Sequence, residues 1–179
     1  MSNASDDRAV KADTVLAPRG PALSMRVLFG WWRLPIGIRW AAVLAEMMLL
    51  WWTSSRPMSL FGTGIASSML HNSMHVVAYG AMAALCAMAA ASPGVLRTGG
   101  AALAVLVAAG YGLIDELHQG HVPGRVCSVA DWGSDLSGAC LGVAVLGHLI
   151  RPRRVGLLVV AVLAVAATVC VWLATYTEM

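Results

Sequence analysis

Five separated runs of about twenty mostly apolar residues constrain this chain more than any other feature of its sequence. A helix rises 1.5 Å per residue, so roughly 20 apolar residues span the hydrocarbon core of a bilayer. The runs lie at about 36–53, 67–91, 99–119, 130–150 and 155–176. The second stops at Ser92-Pro93-Gly94, because proline cannot continue a helix. The fifth carries no charge. None alternates apolar and polar residues, which excludes a transmembrane β-barrel. Ala, Leu, Gly, Val and Met dominate, as suits closely packed membrane helices. The expected fold is all-α, a polytopic membrane helix bundle with five transmembrane helices.

Composition agrees. Hydrophobic residues make up 59% of the 179, and only 12% are charged; soluble domains are typically about 25% charged. A soluble enzyme and a disordered chain are both excluded. Four scattered cysteines form no disulfide framework. A net charge of +3 brings no basic helix face with it, so no nucleic-acid partner is expected. The chain then divides into a polar tail with an interfacial segment, residues 1–35, and a single transmembrane domain, residues 36–176. The first 19 residues carry Asp6, Asp7, Arg8, Lys11 and Asp13 and no apolar stretch, which reads as a disordered tail and not a signal peptide. Trp31, Trp32, Arg26 and Arg33 mark residues 23–35 as interfacial.

The basic residues set an expected orientation. Arg8, Lys11, Arg19, Arg26, Arg33 and Arg39 precede or open the first run, Arg97 follows the second, and Arg151, Arg153 and Arg154 follow the fourth. Arg56 and Arg125 are left for the other side. By the positive-inside rule the N-terminus is inside and the C-terminus outside. Trp51, Trp52, Trp132, Trp172 and Tyr176 would form the outer aromatic belt, and Trp40 the inner one.

Ionisable groups at membrane depth are costly and usually functional, and here they gather at one level. His71 and His75 lie early in the second run, with Tyr79 on the same helical face. Asp115, Glu116, His118 and Gln119 close the third run, and Asp131 and Asp135 open the fourth. Glu46 falls in the outer half of the first. Asp131, Asp135, Gly138 and Gly142 form one helical stripe, and the Gly138–Gly142 spacing allows close approach to a neighbouring helix.

The segment Asp115-Glu116-Leu117-His118-Gln119-Gly120-His121-Val122-Pro123-Gly124-Arg125, followed by Ser128, Asp131, Asp135 and Gly138, resembles the VanZ-like family of small polytopic membrane proteins, with its E-x-x-Q-x-x-x-P-x-R segment. His75-Val76-Val77-Ala78-Tyr79 is similar to the family's H-F-x-x-Y segment. Two positions depart from the pattern: His71-Asn72 stands where members often have Asp-Lys, and Asp135 where many have Asn. The resemblance implies a membrane location and an envelope context, and the family's named member is linked to resistance to the glycopeptide teicoplanin. It implies no particular reaction.

Each polar residue has a functional and a structural reading. Glu116 is the expected general acid/base or, alternatively, a water-facing carboxylate at a helix end. Asp131 and Asp135 support it, although Asp131 also suits a helix N-cap. His75 is a proton shuttle or, with Tyr79, a hydrogen-bonded lock between helices. Arg125, Gln119, Tyr79 and His118 are the expected substrate-binding residues. Arg125 would clamp a phosphate or carboxylate, or form a loop salt bridge. Cys86 and Cys140 read as small packers, while Cys127 and Cys170 fall on one side, where a bridge is an open alternative. No cofactor is expected, although the His and carboxylate set contains ligand types for a divalent metal.

Three functions fit. An outward-facing enzyme would hydrolyse or transfer groups on lipid-linked envelope glycans or glycolipids in a bacterial plasma membrane. A non-enzymatic protein would bind an envelope lipid or a glycopeptide, alone, as a homo-oligomer or with an assembly partner. A small proton-coupled transporter would use Glu46, His75 and Asp135, against the scarcity of polar groups in the inner half.

Overall fold

A computed structural model describes residues 23–56, 64–92, 95–151 and 154–177. The expected disordered tail lies outside the described residues. Among those described, the chain is a helix bundle: α1 (Leu23–Trp32), α2 (Ile36–Ser54), α3 (Ile65–Ala90), α4 (Thr98–Gln119), α5 (Val129–Ile150) and α6 (Leu157–Thr177). The five from α2 to α6 are each long and apolar enough to cross a membrane.

Local chemistry sets several ends. Pro35 precedes α2, where its missing N–H costs no helical bond. Ser128 caps α5 by accepting a hydrogen bond from the Asp131 N–H at 3.2 Å. The sequence had offered Asp131 as that cap. Ser128 takes the role because its hydroxyl stands three residues earlier, and the Asp131 carboxylate is buried inside the bundle.

The helices share the core unequally. α3 and α5 make the most extensive contact in the bundle, and 44% of each spanning window is buried. The corresponding share is 6% for α2 and 17% for α6, so these two turn most of their apolar surface outward. Small residues explain the α3–α5 contact. A methyl group added to Gly138 would lie 2.7 Å from the Val76 Cα, and one added to Gly142 would lie 2.7 Å from the Gly80 Cα. The two backbones touch there, and only hydrogen side chains fit. Met82, Ala83, Cys86, Ala87, Ala139 and Leu146 extend this apolar core.

The two ends of the bundle differ. Arg33, Arg39, Arg97, Arg151 and Arg154 cluster at the end where α3 and α5 finish. There Trp32 Nε1 donates to the Met88 carbonyl at 3.2 Å, which docks α1 onto α3. Arg39 donates to the Ala91 carbonyl at 3.4 Å. Arg56 and Arg125 lie at the opposite end. Trp132 donates to the Ala109 carbonyl at 2.9 Å and ties α5 to α4. All four cysteines are free thiols, so Cys127 and Cys170 are not bridged.

Candidate functional site

The loop from α4 to α5 places the basic side chain. Val122-Pro123-Gly124-Arg125 forms a turn closed by the Arg125 N–H on the Val122 carbonyl at 3.1 Å. Gly124 has φ +80°, the left-handed geometry that a type II turn requires after proline and that glycine adopts without strain. The turn points Arg125 back into the bundle. Its Nη1 donates to Gln119 Oε1 at 2.6 Å and its Nε to the Arg56 carbonyl at 3.0 Å. Gln119 passes the link on, since its Nε2 donates to Asp115 Oδ2 at 2.9 Å. Ser54 at the end of α2 donates to the same oxygen at 2.7 Å.

A second chain of contacts runs along α3 and α5. Asp135, fully buried, holds His75 Nδ1 at 2.8 Å. The other ring nitrogen of His75 meets His71 Nε2 at 3.2 Å. One of the two imidazoles donates in that contact and the other accepts. Asp135, His75 and His71 therefore form a continuous hydrogen-bonded line. Asn72, beside His71, ties down the α6 side. With its nitrogen towards Asp131 it donates to Oδ1 at 3.2 Å, and its oxygen faces Thr175 Oγ1 at 3.3 Å.

His71 and Arg125 line two cavities. The larger, about 780 Å³, opens at the Arg125 end of the bundle, where His71, Gln119, Arg125, Ser128 and Asp131 meet the apolar Val126, Val129 and Leu173. The smaller, about 90 Å³, lies on the α2 side between Ser54, His75, Tyr79 and Asp115. The larger one is polar on its floor and apolar on its rim, a lining suited to an amphipathic molecule.

Glu116 lies behind the floor and is 1% exposed. Its Oε2 accepts the Ser128 N–H at 2.9 Å, while among the described residues Oε1 has no hydrogen-bond partner. Asp135 Oδ2 and Asp115 Oδ1 are in the same position. Helix α4 approaches Asp135 closely only because residue 112 is glycine; a methyl group there would stand 2.8 Å from Asp135 Oδ2 and 3.2 Å from the Tyr79 ring. His75, Glu116 and Asp135 each offer a ligand-type atom, and these atoms lie within 4.8 Å of one another.

The structure thus brings Glu116, His75 and Asp135 together and sets Asp131, Arg125 and Gln119 on the cavity wall beside them. Tyr79 is buried beneath, its ring stacked on His75 at 6.0 Å between centroids. The two are not hydrogen-bonded to each other; both His75 nitrogens are engaged, one by Asp135 and the other by His71. His118 does not join the group. It stacks on Trp51 at 3.9 Å and contacts Ser55 Oγ at 2.9 Å, on the α2-facing side of α4. Glu46 also stands apart, half-buried along α2, with Oε2 unpartnered among the described residues. Sequence reasoning gave too little weight to His71, Asn72, Asp115 and Thr175. The i, i+4 spacings of His71 with His75 and of Asp115 with Gln119 were the available signals. For Thr175, in an otherwise uncharged helix, there was none.

A family model described as VanZ/LLP1 matches residues 23–151. The chain belongs to the VanZ-like family. The matched region of this VanZ-like protein holds every polar group of the site except those of α6, so Leu173, Thr175 and Thr177 lie beyond it. Neither a curated protein nor a solved structure matches the chain at a significant level.

Proposed function

We propose that this VanZ-like protein is a membrane enzyme that hydrolyses or transfers the polar group of a lipid-linked envelope glycan or glycolipid. The observation that carries this reading is the line Asp135–His75–His71, which starts at a fully buried carboxylate and ends on the wall of the cavity. A carboxylate that orients one imidazole, which in turn contacts a second, fixes tautomers and supplies a route for a proton. His71, rather than Glu116, is then the group that meets the substrate, because Glu116 does not reach the wall. Glu116 supports the line from behind.

Arg125 and Asp131 would bind the headgroup, and Gln119 would hold Arg125 in place. The apolar rim of Val126, Val129 and Leu173 would take the first part of the lipid chain. We further propose that this end faces outside, in a bacterial plasma membrane. That orientation rests on the clustering of basic residues at the opposite end.

The test is turnover of labelled lipid-linked glycans and polyprenyl phosphates by the purified protein in liposomes. Product formation that falls at least about 100-fold in His71→Gln supports the reading, since general acid/base groups are worth that much. Saturable binding of the same lipids with no product, retained in His71→Gln and lost in Arg125→Ala, would replace the enzyme with a binding protein.

A further inference from the structure

Four carboxylates lie buried at the Arg125 end of the bundle. Asp115, Glu116, Asp131 and Asp135 are each at most 3% exposed. Among the described residues, Arg125, linked to Asp115 through Gln119, and the His75–His71 pair lie among them. Arg56 presents its carbonyl to Arg125 and stacks its guanidinium on Trp52 at 3.9 Å. Buried charge of one sign is costly unless it is paired or binds a metal. Three of these carboxylates also keep an oxygen with no partner among the described residues: Asp115 Oδ1 and Glu116 Oε1 on α4 and Asp135 Oδ2 on α5.

We propose that His75, Glu116 and Asp135 bind one divalent cation of the zinc or manganese class. The three residues come from α3, α4 and α5 and offer one nitrogen and two oxygens within 4.8 Å of one another. In a tetrahedral shell with bonds of roughly 2.0–2.2 Å, ligand atoms stand about 3.3–3.6 Å apart, so side-chain rotations that draw the three atoms in by about an ångström would close the set. The donor mixture decides the class of ion. One imidazole with two carboxylates suits zinc or manganese, and the absence of thiolate among the three disfavours softer ions.

The surrounding contacts fit an ion-binding imidazole. A metal-bound histidine normally donates its other ring N–H to a neighbour that fixes the ring. Here His75 meets Asp135 through Nδ1 and His71 through Nε2. An ion on Nδ1 would replace the hydrogen bond from His75 to Asp135 Oδ1 and leave the Nε2–H pointing at His71, a contact already in place. The Ser128 N–H on Glu116 Oε2 holds the second ligand in the same way. The ion would neutralise part of the buried charge and link the three central helices directly behind the cavity floor.

This site shares His75 and Asp135 with the proton line proposed above, so its test reads binding and not turnover. Detergent-purified protein is stripped with chelator, then titrated with Zn²⁺ and with Mn²⁺ by calorimetry, and bound metal is measured by mass spectrometry. One equivalent per chain is expected in the unaltered protein and in His118→Ala. Asp135→Asn and Glu116→Gln should each lose at least 10-fold in affinity. X-ray absorption of the zinc-loaded unaltered protein should report one imidazole and otherwise oxygen ligands. This last measurement needs no variant to fold. A zinc shell containing sulfur, affinity unchanged in both carboxylate variants, or no binding of either ion would each overturn the site. Turnover without bound metal would leave the proton line standing while removing the ion, and an ion bound without turnover would do the reverse.

Discussion

Helices α3 and α5 meet twice, by opposite means. In their first contact, at the Arg125 end, His75 and Asp135 join them through a buried hydrogen bond, with Asn72 and Asp131 beside it. In their second, about one turn deeper, Gly80, Gly138 and Gly142 join them through bare backbone. Apolar attraction separates neither helix from lipid, which is as greasy as their own side chains, so association comes from close packing and from polar contacts. The glycine contact supplies the first and the histidine–aspartate contact the second. The lesson is a division of labour: the apolar half fixes how closely the helices sit, and that closeness leaves the polar half free to hold groups that stability alone does not require.

The sharpest way to break this division is Gly142→Leu. A side chain there collides with the Gly80 backbone, which cannot give way as a flexible side chain could. Overpacking typically costs about 1–3 kcal/mol and occasionally more, and against unyielding backbone the upper end applies, so much of the folded protein should be lost on size-exclusion chromatography in detergent. A folded, fully active Gly142→Leu protein would mean that the crossing is not a backbone contact. The next effect belongs to the polar half. His71→Gln should cut turnover about 100-fold or more yet move the melting temperature little, because His71 lies at the cavity wall and not in the glycine crossing. Equal losses of stability and turnover would blur the two halves into one.

Arg125→Ala should have a smaller effect, chiefly on substrate affinity. A charge-assisted contact is worth roughly 1.5–3 kcal/mol, so KM should rise about tenfold or more, with a lesser change in kcat. A kcat loss with KM intact would assign Arg125 to the reaction rather than to binding. The smallest effect is expected from His118→Ala. Its stacking on Trp51 and its contact with Ser55 join α4 to α2, so stability should fall by about 1 kcal/mol with turnover unchanged. If turnover falls with it, the α2 side is coupled to the site.

Much of this was legible in the sequence, for reasons that also mark its limit. Twenty-residue apolar runs determine membrane helices almost by length, and the stripe of Asp131, Asp135, Gly138 and Gly142 follows from helical periodicity alone. What periodicity cannot give is the rotation of one helix against its neighbour. His118 and Gln119 are adjacent in sequence, yet a helix turns 100° between them; Gln119 faces Asp115 and Arg125 while His118 faces Trp51. Gly80 carried no spacing signal of its own because its partner is on another helix. His71 differed from His75 only by depth, and depth decides which of the two reaches the larger cavity.

The glycine crossing has one further consequence. Helices in contact at their backbones have no side chains between them to absorb displacement, so they are pinned at that point. Two stiff rods pinned near their middles behave as scissors. Spreading of α3 and α5 at the Arg125 end would, for rigid helices, swing the other end, where Trp32 and Leu28 of α1 rest against the bundle. The short helix at the basic end therefore rests on the far arm of the same crossing that borders the cavity.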